Sequence, residues 1–222
     1  MSEKISSARE NMLNSQIYTN KVDDEFVLAA IEAVPRENFV PENLRGVAYV
    51  DKDLPLGDGR ILMEPMVFAR LLQLAEIKET EKVLVVASAT GYAVAVIAGM
   101  AAEVVGCENN LNFITAAQGN LKNLGIANAA FVKAELPLGA ERHKPFDVIF
   151  INGAVEEIPL KILAQLSENG RLVTVKASLE QPHGPHYGSL VHYRNKVVSL
   201  TKEFQAFTAK LPEFNARRGF EF

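Results

Sequence analysis

Glu108 and the short turn at 87–91 are the residues whose types and spacing best suit ligand binding. The stretch KVLVVASATGYAVAVIAGMAAEVVGCE, residues 82–108, has the pattern of buried strand, tight turn, small-residue helix, second strand and terminal carboxylate. In parallel α/β proteins the turn approaches a nucleotide, and an acid about 20 residues further on binds ribose hydroxyls. Glu108 stands 21 residues after Ala87. The pattern predicts a nucleoside site; the alternatives are a ligand-free strand–helix connection and a solvated strand-end acid.

The turn has the spacing A-x-A-x-G. That spacing matches the G-x-G-x-G turn of S-adenosylmethionine methyltransferases better than the G-x-G-x-x-G turn of dinucleotide enzymes. Glycine is used there because the backbone turns at φ values that other residues resist, and because the ligand lies against it. At positive φ each alanine costs about 1 kcal/mol or more, and elsewhere its methyl group narrows the cleft. The predicted lining residues are Ala87, Ser88, Ala89, Gly91 and Tyr92.

Other polar residues carry weaker predictions. Asn152 follows a predicted strand at 148–151, and the carboxyl ends of strands line the crevice of open α/β sheets. His183 and His186 lie in a Pro/Gly loop with no third ligand near them in sequence, so we expect exposed histidines and no metal site. The sequence holds no G-x-S-x-G elbow, P-loop or zinc spacing, which gives no support to a hydrolase, NTPase or zinc enzyme.

Composition limits the class of protein. The chain has 222 residues, 48% of them hydrophobic and 23% charged, as in an ordinary globular protein, and one domain over 1–222 is expected. A formal net charge of −4 disfavours a nucleic-acid partner. Cys107 is the only cysteine and the N-terminus has no apolar signal core, which favours a reducing, cytoplasmic location.

One uncharged run, Val83–Ala102, is as long as a membrane span. Ser88 to Gly91 interrupt it, and alanine and glycine dominate its second half, so a buried strand and helix explain it better. We expect no membrane association. The oligomeric state stays open.

The order of elements predicts a Rossmann-like α/β fold: a mostly parallel, doubly wound sheet with antiparallel C-terminal strands and an N-terminal helical extension. The extension occupies 1–78 and the α/β core 79–222. Helices are predicted at 7–17, 23–34, 41–44, 66–76, 92–100, 111–124 and 159–166, the last closed by a cap at Asn169-Gly170. Strands are predicted at 83–87, 103–107, 129–133, 148–151, 172–176, 189–193 and 197–200, with a loop at 54–59 and an undecided tail at 204–211.

Four blocks carry a family likeness: VPRENFVPENLRGVAYVDKDLPLGDG (34–59), VLVVASATGYAVAVIA (83–98), VVGCE (104–108) and FDVIFINGAVEEIPLKILAQLSENGRLV (146–173). Together they resemble protein-L-isoaspartate O-methyltransferases over nearly the whole chain, and the ending PEFNARRGFEF resembles bacterial members. The resemblance implies S-adenosylmethionine as methyl donor. It also implies a damaged protein or peptide as acceptor, esterified at the α-carboxylate of an isoaspartyl residue. The region before residue 79 would face the acceptor.

The chain departs from the family pattern at positions of the site. Val85 stands where the family has an acid, Ala87 and Ala89 where it has glycines, and Met63 where it has an acceptor-contacting serine. Ala134 replaces an adenine-contacting aspartate, and Glu135 beside it is the candidate substitute. Gly91, Tyr92, Glu108 and the loop at 54–59 match.

The acceptor loop is predicted to contain Arg60, Met63 and Glu64, with Arg60 suited to a bidentate contact with the acceptor carboxylate. Methyl transfer depends on positioning and desolvation rather than on an acid–base triad. Two functions follow: an isoaspartyl methyltransferase of weakened or altered activity, or an inactive relative that keeps the fold for binding. A dinucleotide oxidoreductase is the weakest alternative.

Overall fold

A computed structural model describes residues 2–178, 184–195 and 197–216. One seven-stranded sheet organises the fold, with strand order β5-β4-β3-β6-β7-β8-β9. Its strands are β3 (Lys82–Val86), β4 (Glu103–Glu108), β5 (Ala129–Lys133), β6 (Phe146–Val155), β7 (Leu166–Lys176), β8 (His186–Arg194) and β9 (Val197–Ala206). Neighbours pair in parallel from β5 to β7, and β8 and β9 are antiparallel. The predicted Rossmann-like sheet with an antiparallel C-terminal hairpin is confirmed.

Strand β3 lies at the centre of the sheet, between β4 and β6. Val83 and Val85 face one hydrophobic cluster, and Leu84 and Val86 face the other. Because both faces of a parallel sheet are covered, such a strand is apolar at every position. The uncharged run in the sequence is therefore a buried strand followed by a buried helix, and no helix of the described residues has the length and apolar character that a bilayer span requires.

Six α-helices surround the sheet in the described part of the chain. They are α1 (Ser2–Met12), α2 (Glu25–Ala33), α3 (Pro65–Ala75), α4 (Tyr92–Ala98), α5 (Leu111–Asn123) and α6 (Leu160–Leu163). Asp24 accepts hydrogen bonds from the amides of Phe26 and Val27 and so caps α2, and Asn110 caps α5 in the same way. A π-helical turn, Leu13–Ile17, follows α1, and a 3₁₀ helix spans Glu42–Val47.

Two sequence expectations were wrong. The segment predicted as a loop at 54–59 belongs to a hairpin, β1 (Leu54–Gly57) and β2 (Arg60–Leu62). Positive φ at Gly57, Asp58 and Gly59 makes its tight turn possible. The helix predicted at 159–166 has four residues only, and the supposed cap at Asn169-Gly170 lies inside β7, because pairing with β6 draws the chain into the sheet from Leu166 onward.

The undecided tail is also resolved in part. Phe204 to Ala206 complete β9, and a bridge at Lys210 joins the following segment to β6. His183 lies outside the described residues, and so do residues 217–222 of the ending. His186 opens β8 and is half-buried, so the expectation of an exposed loop histidine was wrong at this position. No metal-binding group of three or more side chains occurs among the residues described.

Candidate active site

The turn after β3 has the backbone of a glycine turn, built partly from alanine. Ala87, Ala89 and Gly91 have φ values of 59°, 45° and 93°. A left-handed conformation costs an alanine about 1–2 kcal/mol relative to glycine. Gly91 is also required by space, because a Cβ there would lie 2.9 Å from the Cβ of Ala117. The turn thus keeps the backbone shape of a ligand-binding turn, and both of its alanines are buried.

Glu108 ends β4 directly beside this turn and is fully buried. Its Oε2 accepts a hydrogen bond of 3.0 Å from the amide of Ala89. Its Oε1 accepts from the amides of Asn109 at 2.8 Å and Asn110 at 3.3 Å. The acid and the turn predicted from sequence therefore line one crevice, at the carboxyl ends of β3 and β4, where open α/β sheets bind ligands.

Arg60 completes the surroundings of Glu108. Its Nε donates to Oε2 at 3.1 Å and its Nη2 donates to Oε1 at 3.2 Å, a two-pronged contact between buried groups. The same Nη2 also donates to Asn109 Oδ1 at 3.1 Å and to Glu213 Oε1 at 2.8 Å. Burial lowers the pKa of Arg60, but its hydrogen bonds to Glu108 and Glu213 outweigh burial and raise it overall. Arg60 is thus a permanent cation inside the crevice.

The hairpin β1–β2 carries Arg60 and covers the turn. Between the hairpin and the turn only about 10 Å³ of cavity remains. That is room for one water molecule at most. The cavity is lined by Leu56, Ile61, Leu62, Met63, Phe68, Ser88, Ala89, Thr90, Tyr92, Ala93 and Asn152. Met63, predicted to belong to the acceptor loop, is 2% exposed and packs in the core.

Three further predicted lining residues lie in or beside the turn. Asn152 donates from Nδ2 to the carbonyl of Ala87 at 3.1 Å and so ties β6 to the turn. Tyr92 packs between the rings of Phe39 and Phe68, at centroid distances of 5.4 and 5.3 Å. The hydroxyl of Ser88 is buried without a hydrogen-bond partner. Their roles toward a cofactor stay predictions.

Glu64, the last of the three residues predicted for the acceptor loop, lies near other carboxylates. Glu64 follows Met63, and its amide donates to Asp53 Oδ1 at 2.9 Å. Burial, followed by the charges of Asp51 and Asp53, raises the pKa of Glu64 to about 7. An acceptor carboxylate would meet like charges here when Glu64 is ionised. Arg60 faces Glu108 in the structure, so its predicted contact with an acceptor carboxylate would require it to leave that pair.

Two placements were not anticipated from sequence. Arg36, from the block Pro-Arg-x-x-Phe-Val-Pro, is 1% exposed, and it donates to the carbonyls of Ala48 and Met63. Burial lowers its pKa. Arg36 fixes the backbone at the end of β2. In the sequence, only its place in the family-specific block at 34–59 indicated that it matters. Glu135, the candidate adenine contact, is exposed and precedes a 3₁₀ turn at Leu136–Leu138.

The family described as Protein-L-isoaspartate(D-aspartate) O-methyltransferase matches residues 7–183, most of the chain. The chain belongs to this family. A relative named protein-L-isoaspartate O-methyltransferase 2 from Shewanella sediminis is 38% identical over 172 residues, which cover 78% of this chain and 70% of the relative. A protein-L-isoaspartate O-methyltransferase from Methanoculleus marisnigri is 36% identical over 165 residues, covering 74% and 75%.

Solved structures agree on the fold. A protein-L-isoaspartate O-methyltransferase superposes with a TM-score of 0.77 at 22% identity, covering 93% of this chain and 67% of its own. A Plasmodium falciparum structure, described as a complex of that type of enzyme with S-adenosyl-L-homocysteine, gives 0.76 at 20% identity, covering 94% and 98%. At such identities the likeness extends to the fold alone.

In this structure the residues predicted to hold S-adenosylmethionine, the family's methyl donor, make contacts with one another. Both oxygens of Glu108 already accept hydrogen bonds, two of them from Arg60. The predicted donor site is therefore assembled, and Arg60 engages its carboxylate in this structure.

Proposed function

We propose that this protein is a cytoplasmic S-adenosylmethionine-dependent O-methyltransferase that acts on isoaspartyl residues of damaged proteins or peptides. The observation that carries the proposal is the placement of Glu108. In a chain whose family match spans residues 7–183, its carboxylate lies 3.0 Å from the amide of Ala89 in the donor turn. Strand-end carboxylates in this position hold ribose hydroxyls. The relatives' names supply the acceptor class, a protein with isoaspartyl damage.

A second function is favoured by a specific observation. Arg60 engages both oxygens of Glu108, and Met63 replaces the serine of the acceptor loop. A member of the family with this site permanently closed would bind neither donor nor acceptor. It would keep the fold as a protein-binding scaffold.

Calorimetry with S-adenosylmethionine and S-adenosylhomocysteine separates the two functions. The methyltransferase proposal expects measurable affinity that Glu108→Ala abolishes. Glu103→Ala is the matched control, because Glu103 begins the same strand, at its other end, and is 53% exposed. Thermal unfolding of each variant shows whether it is folded.

Methyl transfer to an isoaspartyl peptide then tests the acceptor, with the same peptide carrying a normal aspartate as control. Esterification of the isoaspartyl peptide alone supports the proposed activity. No heat at millimolar ligand together with no methyl transfer would leave the scaffold function.

A further inference from the structure

Arg60 occupies the hydrogen-bonding positions that a ribose diol needs. A ribose held by a strand-end carboxylate donates from two hydroxyls to its oxygens. Arg60 donates to the same two oxygens of Glu108, from Nε at 3.1 Å and from Nη2 at 3.2 Å. Three backbone amides use further acceptor positions. Because an ionised carboxylate offers about four lone-pair sites, this Glu108 has none left for a ligand.

Hydrogen bonds hold the tip of the hairpin that carries Arg60 on both sides. Asp58, in the hairpin turn, accepts a 2.7 Å hydrogen bond from the side chain of Asn110. On the other side, Glu213 Oε1 accepts hydrogen bonds from Nη2 of Arg60 at 2.8 Å and from the side-chain Nδ2 of Asn109 at 3.2 Å. The pKa of Glu213 is lowered, because these hydrogen bonds outweigh the effect of its burial. We call residues 57–60 the cover. Hydrogen bonds therefore hold the cover against the loop that follows β4.

We propose that Arg60 is an internal competitor of the donor's ribose for Glu108, so that the donor binds only when the cover lifts and Arg60 leaves the carboxylate. The inference rests on the proposed function, since it concerns the donor site of that activity. In this view the crevice is closed by one side chain that can move away, and not by a permanently filled core. The apparent donor affinity then equals the affinity of the open form multiplied by the fraction of molecules in which the cover is open.

The test compares S-adenosylhomocysteine binding by calorimetry to the wild-type protein, Arg60→Gln and Arg60→Ala. Both variants are expected to bind at least about tenfold more tightly, since a bidentate charge-assisted contact with Glu108 no longer has to be broken. Arg171→Gln is the matched control. Arg171 makes the same type of two-pronged contact with Glu81, at 2.8 and 2.9 Å, on the segment that leads into β3 at the opposite end of the strand. Its affinity is expected to equal that of wild type.

Asp58→Gly serves if the Arg60 variants do not fold. It removes the hydrogen bond to Asn110, and glycine suits the φ of 47° at this position. It leaves the ion pair in place, and about two- to threefold tighter binding is expected.

The outcomes separate the inference from the proposed function. Wild-type binding that none of these variants improves overturns the inference and leaves the methyltransferase function standing. A folded Arg60→Gln variant that shows no binding, beside a wild-type protein that shows none, overturns both. Tighter binding in the Arg60 variants, or in Asp58→Gly where those do not fold, with Arg171→Gln unchanged, supports both.

Discussion

The buried pair Arg60–Glu108 predicts strongly non-additive effects on stability. Removing one member of a buried ion pair costs about 3–5 kcal/mol, because a desolvated charge loses its partner. In Arg60→Met, Glu108 keeps the amides of Ala89, Asn109 and Asn110 as hydrogen-bond donors. We therefore expect a loss at the lower end, about 3 kcal/mol. For a chain of this length that lowers the unfolding temperature by about 6–12 °C.

The reverse change is expected to cost more. Glu108→Leu leaves Arg60 with Glu213 but deprives the backbone amides around the turn of their acceptor, so about 4 kcal/mol is expected. The double variant Arg60→Met/Glu108→Leu has no unpaired charge on β4. It loses the amide contacts of Glu108 and the contacts of Arg60 with Asn109 and Glu213, together about 2–3 kcal/mol. The two single losses sum to about 7 kcal/mol and exceed the loss of the double variant by about 4–5 kcal/mol, which is the coupling energy.

Denaturant unfolding of the four proteins measures this coupling. The control cycle uses Lys82 and Glu103, whose side chains are 28% and 53% exposed in a 3.0 Å ion pair. That pair is expected to couple by less than about 1 kcal/mol. Additivity of the Arg60 and Glu108 losses within about 0.5 kcal/mol would refute the reasoning, because it would mean that the two groups do not stabilise each other.

Three further predictions concern other residues. Gly91→Ala is expected to lower the free energy of unfolding by about 2–4 kcal/mol, because its φ is 93° and Ala117 crowds the position. Gly119→Ala, in open space within α5, is expected to raise the free energy of unfolding by up to about 1 kcal/mol. Equal effects in denaturant unfolding would contradict this. Cys107 is fully buried and burial raises its pKa to about 12, so a thiol reagent at pH 8 is expected to label it only after unfolding; labelling at the rate of a free thiol in native protein would refute that. The raised pKa of Glu64, about 7, means that the folded state binds the proton more tightly than the unfolded chain. The free energy of unfolding therefore falls as pH rises from about 5 to 8. Allowing for solvent screening, Glu64→Gln is expected to remove about 1–2 kcal/mol of that fall. Parallel plots of unfolding free energy against pH for the variant and the wild type would contradict it.

The sequence by itself predicted the sheet and the crevice. Local apolar runs bounded by turn residues indicate buried strands, and the alternation of strands with helices leaves few topologies. Glu108 was placed beside the turn because the carboxyl ends of neighbouring parallel strands meet at one edge. The hairpin at 54–62 was missed because its strands are short and its turn residues also suit a loop. The short α6 was overestimated because pairing with β6 overrides the helix propensity of the residues after Leu163.

Only the tertiary structure decided what Glu108 binds. Its partner Arg60 lies 48 residues away in sequence, and Glu213 lies 153 residues from Arg60. No local period or spacing relates such positions, because their meeting depends on how the hairpin, the sheet and the C-terminal segment pack together. The sequence identified a carboxylate suited to a nucleoside and an arginine suited to a carboxylate. The packing of the chain pairs Arg60 with Glu108. The physical reason is that a buried charge is stabilised when an opposite charge and hydrogen bonds replace the water that it loses.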